Sequence, residues 1–246
     1  MELCDYTLAD YLYHTDTMIE LRNGLTPFTD LPSTAKLQKI WDIMKQIASG
    51  VDFVHGNSMV HRDVKPCNSN SPTQCVCLCA VLYRDQWKLA DFGLATHVKT
   101  DVISKSSGRR GTDGYRAPEL LQSKLVDKEI DIWSMGCILY EMAFGKSLFK
   151  SDFEVMVYAI KKEPIQVYCD DLPYNSNTRD CICEFICSMV RLEPSMRPKS
   201  SVLVDQFTRH CQEAYCVSHE CHQTLQSVFG NLNSDKEFLL SDQGLC

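Results

Sequence analysis

What this sequence lacks narrows it first. No apolar run approaches the roughly 20 residues needed to cross a bilayer; the longest, such as MGCILYEMAF at 135 to 144, are interrupted and far shorter. Cations are not in excess: 25 Lys and Arg face 32 Asp and Glu, for a formal net charge of -7 and a pI near 5.5. Wrapping a duplex or coating an anionic membrane takes clustered positive charge, so neither nucleic acid nor membrane is expected as a partner. The N-terminus MELCDYTLAD carries acids where a secretory signal would carry a basic region and then an apolar core. The chain is therefore read as intracellular, in cytoplasm or nucleus. No internal repeat occurs.

Cysteine is abundant, at 14 residues, yet the paired spacing of a zinc site is missing where it would be looked for. Cys75, Cys77 and Cys79 in QCVCLC alternate in a β-like way instead. A long chain read as intracellular is expected to keep its thiols reduced. His210, Cys211, Cys216, His219, Cys221 and His222 could hold a metal in principle, but their spacing matches no ligand pattern.

What is present is a normal globular composition, 44% hydrophobic and 23% charged, enough to bury a core. After a connector, TPFTDLPST at 26 to 34, the residues Leu37, Ile40, Trp41, Met44, Ile47, Ala48 and Val51 recur at helical spacing. Ser33 or Thr34 is expected to cap that helix. Gly56 and Asn57 then permit a turn, which places HRDVKPCN (61 to 68) on a loop; Lys65 before Pro66 is pushed out of the α region, in agreement. VLYRDQWKLADFG (81 to 93) reads as two short strands around a polar turn. EIDIWSMGCILYEMAFG (129 to 145) is apolar on nearly every face and so belongs in the middle of a domain. SDFE (151 to 154) has the form of a capping box opening a further helix. A last stripe runs through Ile182, Phe185, Ile186, Met189, Val190 and Leu192 toward EPSMRP. The expected class is mainly α (α+β), with one small β element.

HRDVKPCN, then DFG at 91, then GTDGYRAPE at 111 to 119 occur in order on a loop, at a strand end and before the buried helix. Alone each is weak, and Asp63 or Asp91 would read as a turn-capping acid and Lys65 as a solvated charge. As an ordered set they resemble the catalytic half of the eukaryotic protein kinases, serine/threonine type, over residues 1 to about 205. The resemblance implies a helical kinase C-terminal lobe with a small hairpin, in a domain over 1–210 followed by a tail of unknown role over 211–246. It implies a protein kinase that uses ATP and Mg2+ on a protein substrate.

The implied roles are specific. Asp63 would accept the hydroxyl proton, Lys65 would lie near the transferred phosphate, and Asn68 and Asp91 would hold the metal as hard oxygen ligands. Lys65 together with Thr112 points, by resemblance, to serine or threonine as acceptor. Arg62 would capture a phosphorylated activation loop, with Ser104, Ser106 or Ser107 as acceptor and an upstream activating kinase as a partner; Arg109 and Arg110 are read as solvated. His61 and Phe92 resemble hydrophobic-spine members, beside Gly93. Asp131 resembles the acid that hydrogen-bonds the catalytic loop, and Glu119 with Arg197 the pair that ties APE to the helical base. Glu2 and Cys4 would meet adenine at the hinge.

The same resemblance expects a Gly-rich loop, a strand Lys and a helix Glu ahead of this half. No GxGxxG occurs in these residues. The chain is read as starting at the hinge, with a nucleotide floor but no roof, and hence as a poor catalyst by itself. SNSPTQCVCLCA (69 to 80) is an insertion just after Asn68, and Asp113 stands where the family often has Pro. The alternative reading is a non-catalytic kinase-like binding or scaffold module.

Overall fold

The computed structural model describes residues 6–13, 26, 28–66, 80–83, 86–98, 111–122, 127–163, 165 and 172–214. Strand β1 (Tyr6–Thr7) passes directly into α1 (Leu8–Tyr13). The joint is a reciprocal cap: Asp10 N–H donates to Thr7 Oγ1 at 3.1 Å and Thr7 N–H to Asp10 Oδ2 at 3.0 Å, which satisfies two of the amides a helix start leaves open. The long helix α2 (Ser33–Gly56) follows. Its stripe faces the core as the periodicity predicts, with Ile40, Met44, Ile47, Ala48 and Val51 buried. The expected Ser33 or Thr34 cap is not formed: Pro32 occupies the capping position and no side chain caps the helix. Pro32 cannot cap by side chain, and its carbonyl accepts from Lys36 N–H at 2.8 Å.

Strand β2 (Met59–Val60) leads into the HRD loop and pairs antiparallel with β5 (Thr96–His97). Strands β3 (Ala80–Tyr83) and β4 (Gln86–Leu89) form the expected hairpin, with β1 added to its free edge in the order β1-β3-β4. The hairpin lies on α2, where Gln46 Oε1 accepts from the Trp87 amide at 2.6 Å.

The short helix α3 (Pro118–Leu121) precedes α4 (Glu129–Phe144), which is the axis of the core. Trp133, Met135, Ile138 and Leu139 are fully enclosed. At Gly136 an added Cβ would stand 2.9 Å from Met189 Cβ and 2.8 Å from Val190, so only glycine lets α6 (Ser176–Met189) approach this closely. Between them in the chain comes α5 (Asp152–Lys161), capped by Ser151 Oγ on Glu154 N–H. The expected capping box is displaced by one residue, because Glu154 reaches back to the Lys150 amide at 2.7 Å rather than to that of Ser151. The last described helix, α7, covers residues 200 to 214 and packs Leu203 and Phe207 into the same core. Among the described residues no helix is long and apolar enough to cross a membrane.

The cysteine expectation holds only in part. Cys137, Cys181, Cys187 and Cys211 are free, whereas Cys183 is disulfide-bonded.

Candidate active site

The site grows from the C-terminal end of α2. Ser58, at φ 57, turns the chain into β2, and the β2–β5 pairing sets the loop from His61 beside the segment that starts at Ala90. Arg62 has φ 70, a left-handed backbone that a side-chain-bearing residue adopts only at a cost of about 1–3 kcal/mol. Asp131 holds it there. From the start of α4 its carboxylate accepts the His61 amide and the Arg62 amide, each at 2.8 Å, and contacts His55 Nε2 at 2.9 Å. Three donors satisfy a carboxylate that is wholly buried, the condition for keeping one in an apolar helix.

With the loop so fixed, three predicted side chains come together. Lys65 Nζ donates to Asp63 Oδ2 at 3.0 Å and to Thr112 Oγ1 at 2.5 Å, and the Thr112 hydroxyl donates to Asp63 Oδ1 at 2.8 Å. Asp63 and Lys65 are each 7% exposed, so this closed triangle places a paired charge where water screens it little.

Asp91 sits across the β2–β5 pairing in a left-handed conformation, φ 60 and ψ 72, with its Oδ1 accepting the Gly93 amide at 3.2 Å. His61 Nε2 donates to Ala90 O at 3.1 Å, and its ring meets Phe92 edge-on at 5.1 Å. The His61–Phe92 contact thus exists, but Phe92 is 51% exposed and not enclosed as a spine member would be. His61 Nδ1 is buried without a hydrogen bond. Arg62 Nε donates to Leu94 O at 2.5 Å, a second tie between the two segments.

Away from this loop, Arg197 grips Glu119 through two parallel bonds of 2.6 and 2.9 Å, donates further to the Arg191 and Glu129 carbonyls, and lies over Trp133. Glu2, Cys4, Asn68, Ser104, Ser106, Ser107, Arg109 and Arg110, and nearly all of the 69–80 insertion, lie outside the described residues.

A family model described as "Protein kinase domain" matches residues 7–211. The chain belongs to this family. It is 31% identical over 191 residues to "Calcium/calmodulin-dependent protein kinase type 1" of Caenorhabditis briggsae, covering 75% of this chain and 48% of that protein. To "Serine/threonine-protein kinase PLK1" of Xenopus laevis it is 31% identical over 167 residues, 67% of this chain and 25% of that protein. To "Serine/threonine-protein kinase ULK3" of the same organism it is 40% identical over 108 residues, 44% of this chain and 21% of that protein. The chain therefore spans less than half the length of these curated relatives.

Two groups in this kinase fold escaped the sequence reading. Glu141, 1% exposed near the far end of α4, accepts the hydroxyls of Tyr13 and Tyr115. Burial pushes its pKa up and the two hydroxyls pull it back only in part; desolvation and Glu141 drive the pKa of both tyrosines well above the ordinary range. The clue was available: a carboxylate in a helix apolar on nearly every face needs donors, the reasoning already applied to Asp131. The second group explains Asp113. Its Oδ1 accepts the Asp152 amide at 2.7 Å, while Asp152 accepts the Gly114 amide at 3.1 Å and pairs with Arg116. The GTDGY segment is thereby fastened to the start of α5. Gly114, at φ 81, is required because a Cβ there would stand 2.5 Å from the Phe149 carbonyl oxygen.

Proposed function

We propose that this chain carries the catalytic residues of a serine/threonine protein kinase, which transfers the γ-phosphoryl group of ATP to a protein hydroxyl. The observation that supports this most is the Asp63, Lys65 and Thr112 triangle on a loop whose strained backbone is held by Asp131. A phosphoryl transfer asks for positioning and charge neutralisation more than for covalent chemistry. Asp63 keeps lone pairs beyond the two hydrogen bonds it accepts and takes the proton of the attacking serine or threonine hydroxyl. That oxygen forms its bond to the γ-phosphorus as the bond to the β–γ bridging oxygen breaks, and ADP leaves. Lys65 is placed to offset negative charge on the transferred group, and Thr112 fixes its reach.

Mg2+ fits the oxygen donors here. Asp91 is a hard ligand whose only hydrogen bond among the described residues comes from the Gly93 amide, and Asn68 would join it. When bound, the ion neutralises phosphate charge. The described groups, Asp63, Lys65 and Thr112, orient the acceptor and move the proton.

A second reading is a kinase-like binding module without catalysis. Incubating the chain with γ-labelled ATP, Mg2+ and a mixed serine, threonine and tyrosine peptide library separates the two. The kinase reading expects label on serine or threonine that falls by at least about 100-fold in Asp63→Asn; label that is absent supports the binding module, and label that is equal in that variant overturns the role given to Asp63.

A further inference from the structure

A pocket lies far from the triangle, toward the opposite end of α2. Ser33 and Thr34 line it at the start of the helix, whose other end leads into the HRD loop. From Trp41, the lining residue nearest that end, about 22 Å of helix run on to Gly56. The pocket's volume is about 610 Å³, walled mainly by Leu37, Trp41, Pro173, Tyr174, Cys181 and Ala214, within the range of about 300–1,000 Å³ typical of small-molecule sites.

One wall of this pocket is an ordered chain of three titratable groups. Cys181 Sγ lies 3.5 Å from His210 Nε2, and His210 Nδ1 lies 3.1 Å from Glu213 Oε2. The carboxylate can only accept, so the imidazole proton belongs on Nδ1 and leaves a bare lone pair on Nε2 for the thiol proton. The ring has little freedom to turn. It stacks on Trp41 at 5.0 Å and 26°, and meets Phe185 edge-on at 5.5 Å and 84°. His210 stands between the other two groups with both nitrogens engaged, which makes the three a relay. Among the described residues no cluster of His, Cys, Asp and Glu is arranged to hold a metal ion.

We propose that this pocket is a covalent modification site, in which His210 withdraws the thiol proton of Cys181 as its sulfur adds to an apolar α,β-unsaturated carbonyl compound. A nucleophile, a base within hydrogen-bond reach and a third group orienting the base form the arrangement that activates a weak nucleophile. The apolar walls hold the hydrocarbon part of the ligand and supply proximity. In the step, sulfur bonds to the β-carbon and the π pair of the alkene moves to the carbonyl oxygen as an enolate. His210 Nε2 carries the thiol proton and returns it to the α-carbon. Nothing leaves and no oxidant is needed. Burial, with Glu184 and Glu213, pushes the Cys181 thiol up to about 11. It is thus a protonated thiol at rest, and its reaction depends on the base.

The test uses the whole chain with trans-2-nonenal, and with acrolein as the same reactive group without a tail; adducts are mapped by peptide mass spectrometry. The exposed Cys187 is the internal reference. Nonenal is expected to modify Cys181 at least about tenfold faster than Cys187, and acrolein to lose that preference.

His210→Gln should slow Cys181 by at least about tenfold. Because His210 also packs on Trp41, the exposed Glu213 gives a second handle. If Glu213 orients the base, Glu213→Gln slows the reaction; if Glu213 merely raises the thiol pKa, removing its charge speeds it. A Cys181 rate no greater than that of Cys187, a Cys181 rate unchanged in His210→Gln, or a faster Glu213→Gln variant would overturn the proposal.

Discussion

Asp131 and Glu141 stand at opposite ends of one helix, α4, and both are almost inaccessible, at 0% and 1%. Their donors differ in kind. Asp131 is held by two backbone amides and an imidazole, Glu141 by two phenol hydroxyls from α1 and the GTDGY segment. A carboxylate bound to backbone amides dictates the path of a loop, because those donors cannot rotate away. One bound to side-chain hydroxyls tethers elements that already have their own structure, and it remains sensitive to protonation. The first kind builds the candidate active site, and the second joins parts of the lobe.

The largest effect expected from this contrast is at the amide-bound end. Asp131→Ala would orphan two amides and the buried His55 nitrogen, and should cost about 3–5 kcal/mol in denaturant unfolding. Asp131→Asn, which keeps one acceptor oxygen, should recover part of that. An Ala variant within about 0.5 kcal/mol of the parent would show that these amide bonds do not hold the loop.

Glu119 sharpens it, as a buried carboxylate gripped by a side chain at two points. Arg197→Lys keeps the charge but loses the planar fork, and should cost about 2 kcal/mol. A cost near zero would mean that charge alone sufficed. Next, Thr7→Ala removes the cap of α1, which carries Tyr13, and should cost about 1 kcal/mol in the same unfolding measurement.

The smallest effect is distinguished by its sign. Burial raises the Glu141 pKa above its ordinary 4.5, so protonated Glu141 favours the folded state. Its contribution is complete below the unfolded value and is lost as pH rises through the folded value. The Tm of the parent minus that of Glu141→Gln should therefore decline from pH 4 toward neutrality. A difference that stays flat or grows would contradict the assignment.

How far these features were legible in the sequence depended on whether their cause was local. The helix through Ile40, Met44 and Ile47, the hairpin before DFG and the buried α4 follow from short-range periodicity, and the fold agrees with them. The ordered motifs singled out Asp63, Lys65 and Thr112, and the fold brings these three side chains into hydrogen-bond contact. Tyr13 as a partner of Glu141 was not legible, since they lie 128 residues apart and only the folded chain joins them. Asp113 was noted as a departure from the family, but its role depends on the amide of Asp152, a contact that appears only when α5 docks. The cap expected at Ser33 or Thr34 failed for a subtler reason: two hydroxyl residues beside a proline left the capping position ambiguous, and Pro32 took it.

The central claim is that Asp91 binds a metal–nucleotide complex while Asp63 handles the proton. Calorimetric titration of the chain with ATP, with and without Mg2+, tests it most directly when repeated on Asp91→Asn and Asp63→Asn. The account predicts Mg2+-dependent binding that is lost in Asp91→Asn and kept in Asp63→Asn. Binding that ignores Mg2+, survives Asp91→Asn, or is missing from the parent chain would contradict it.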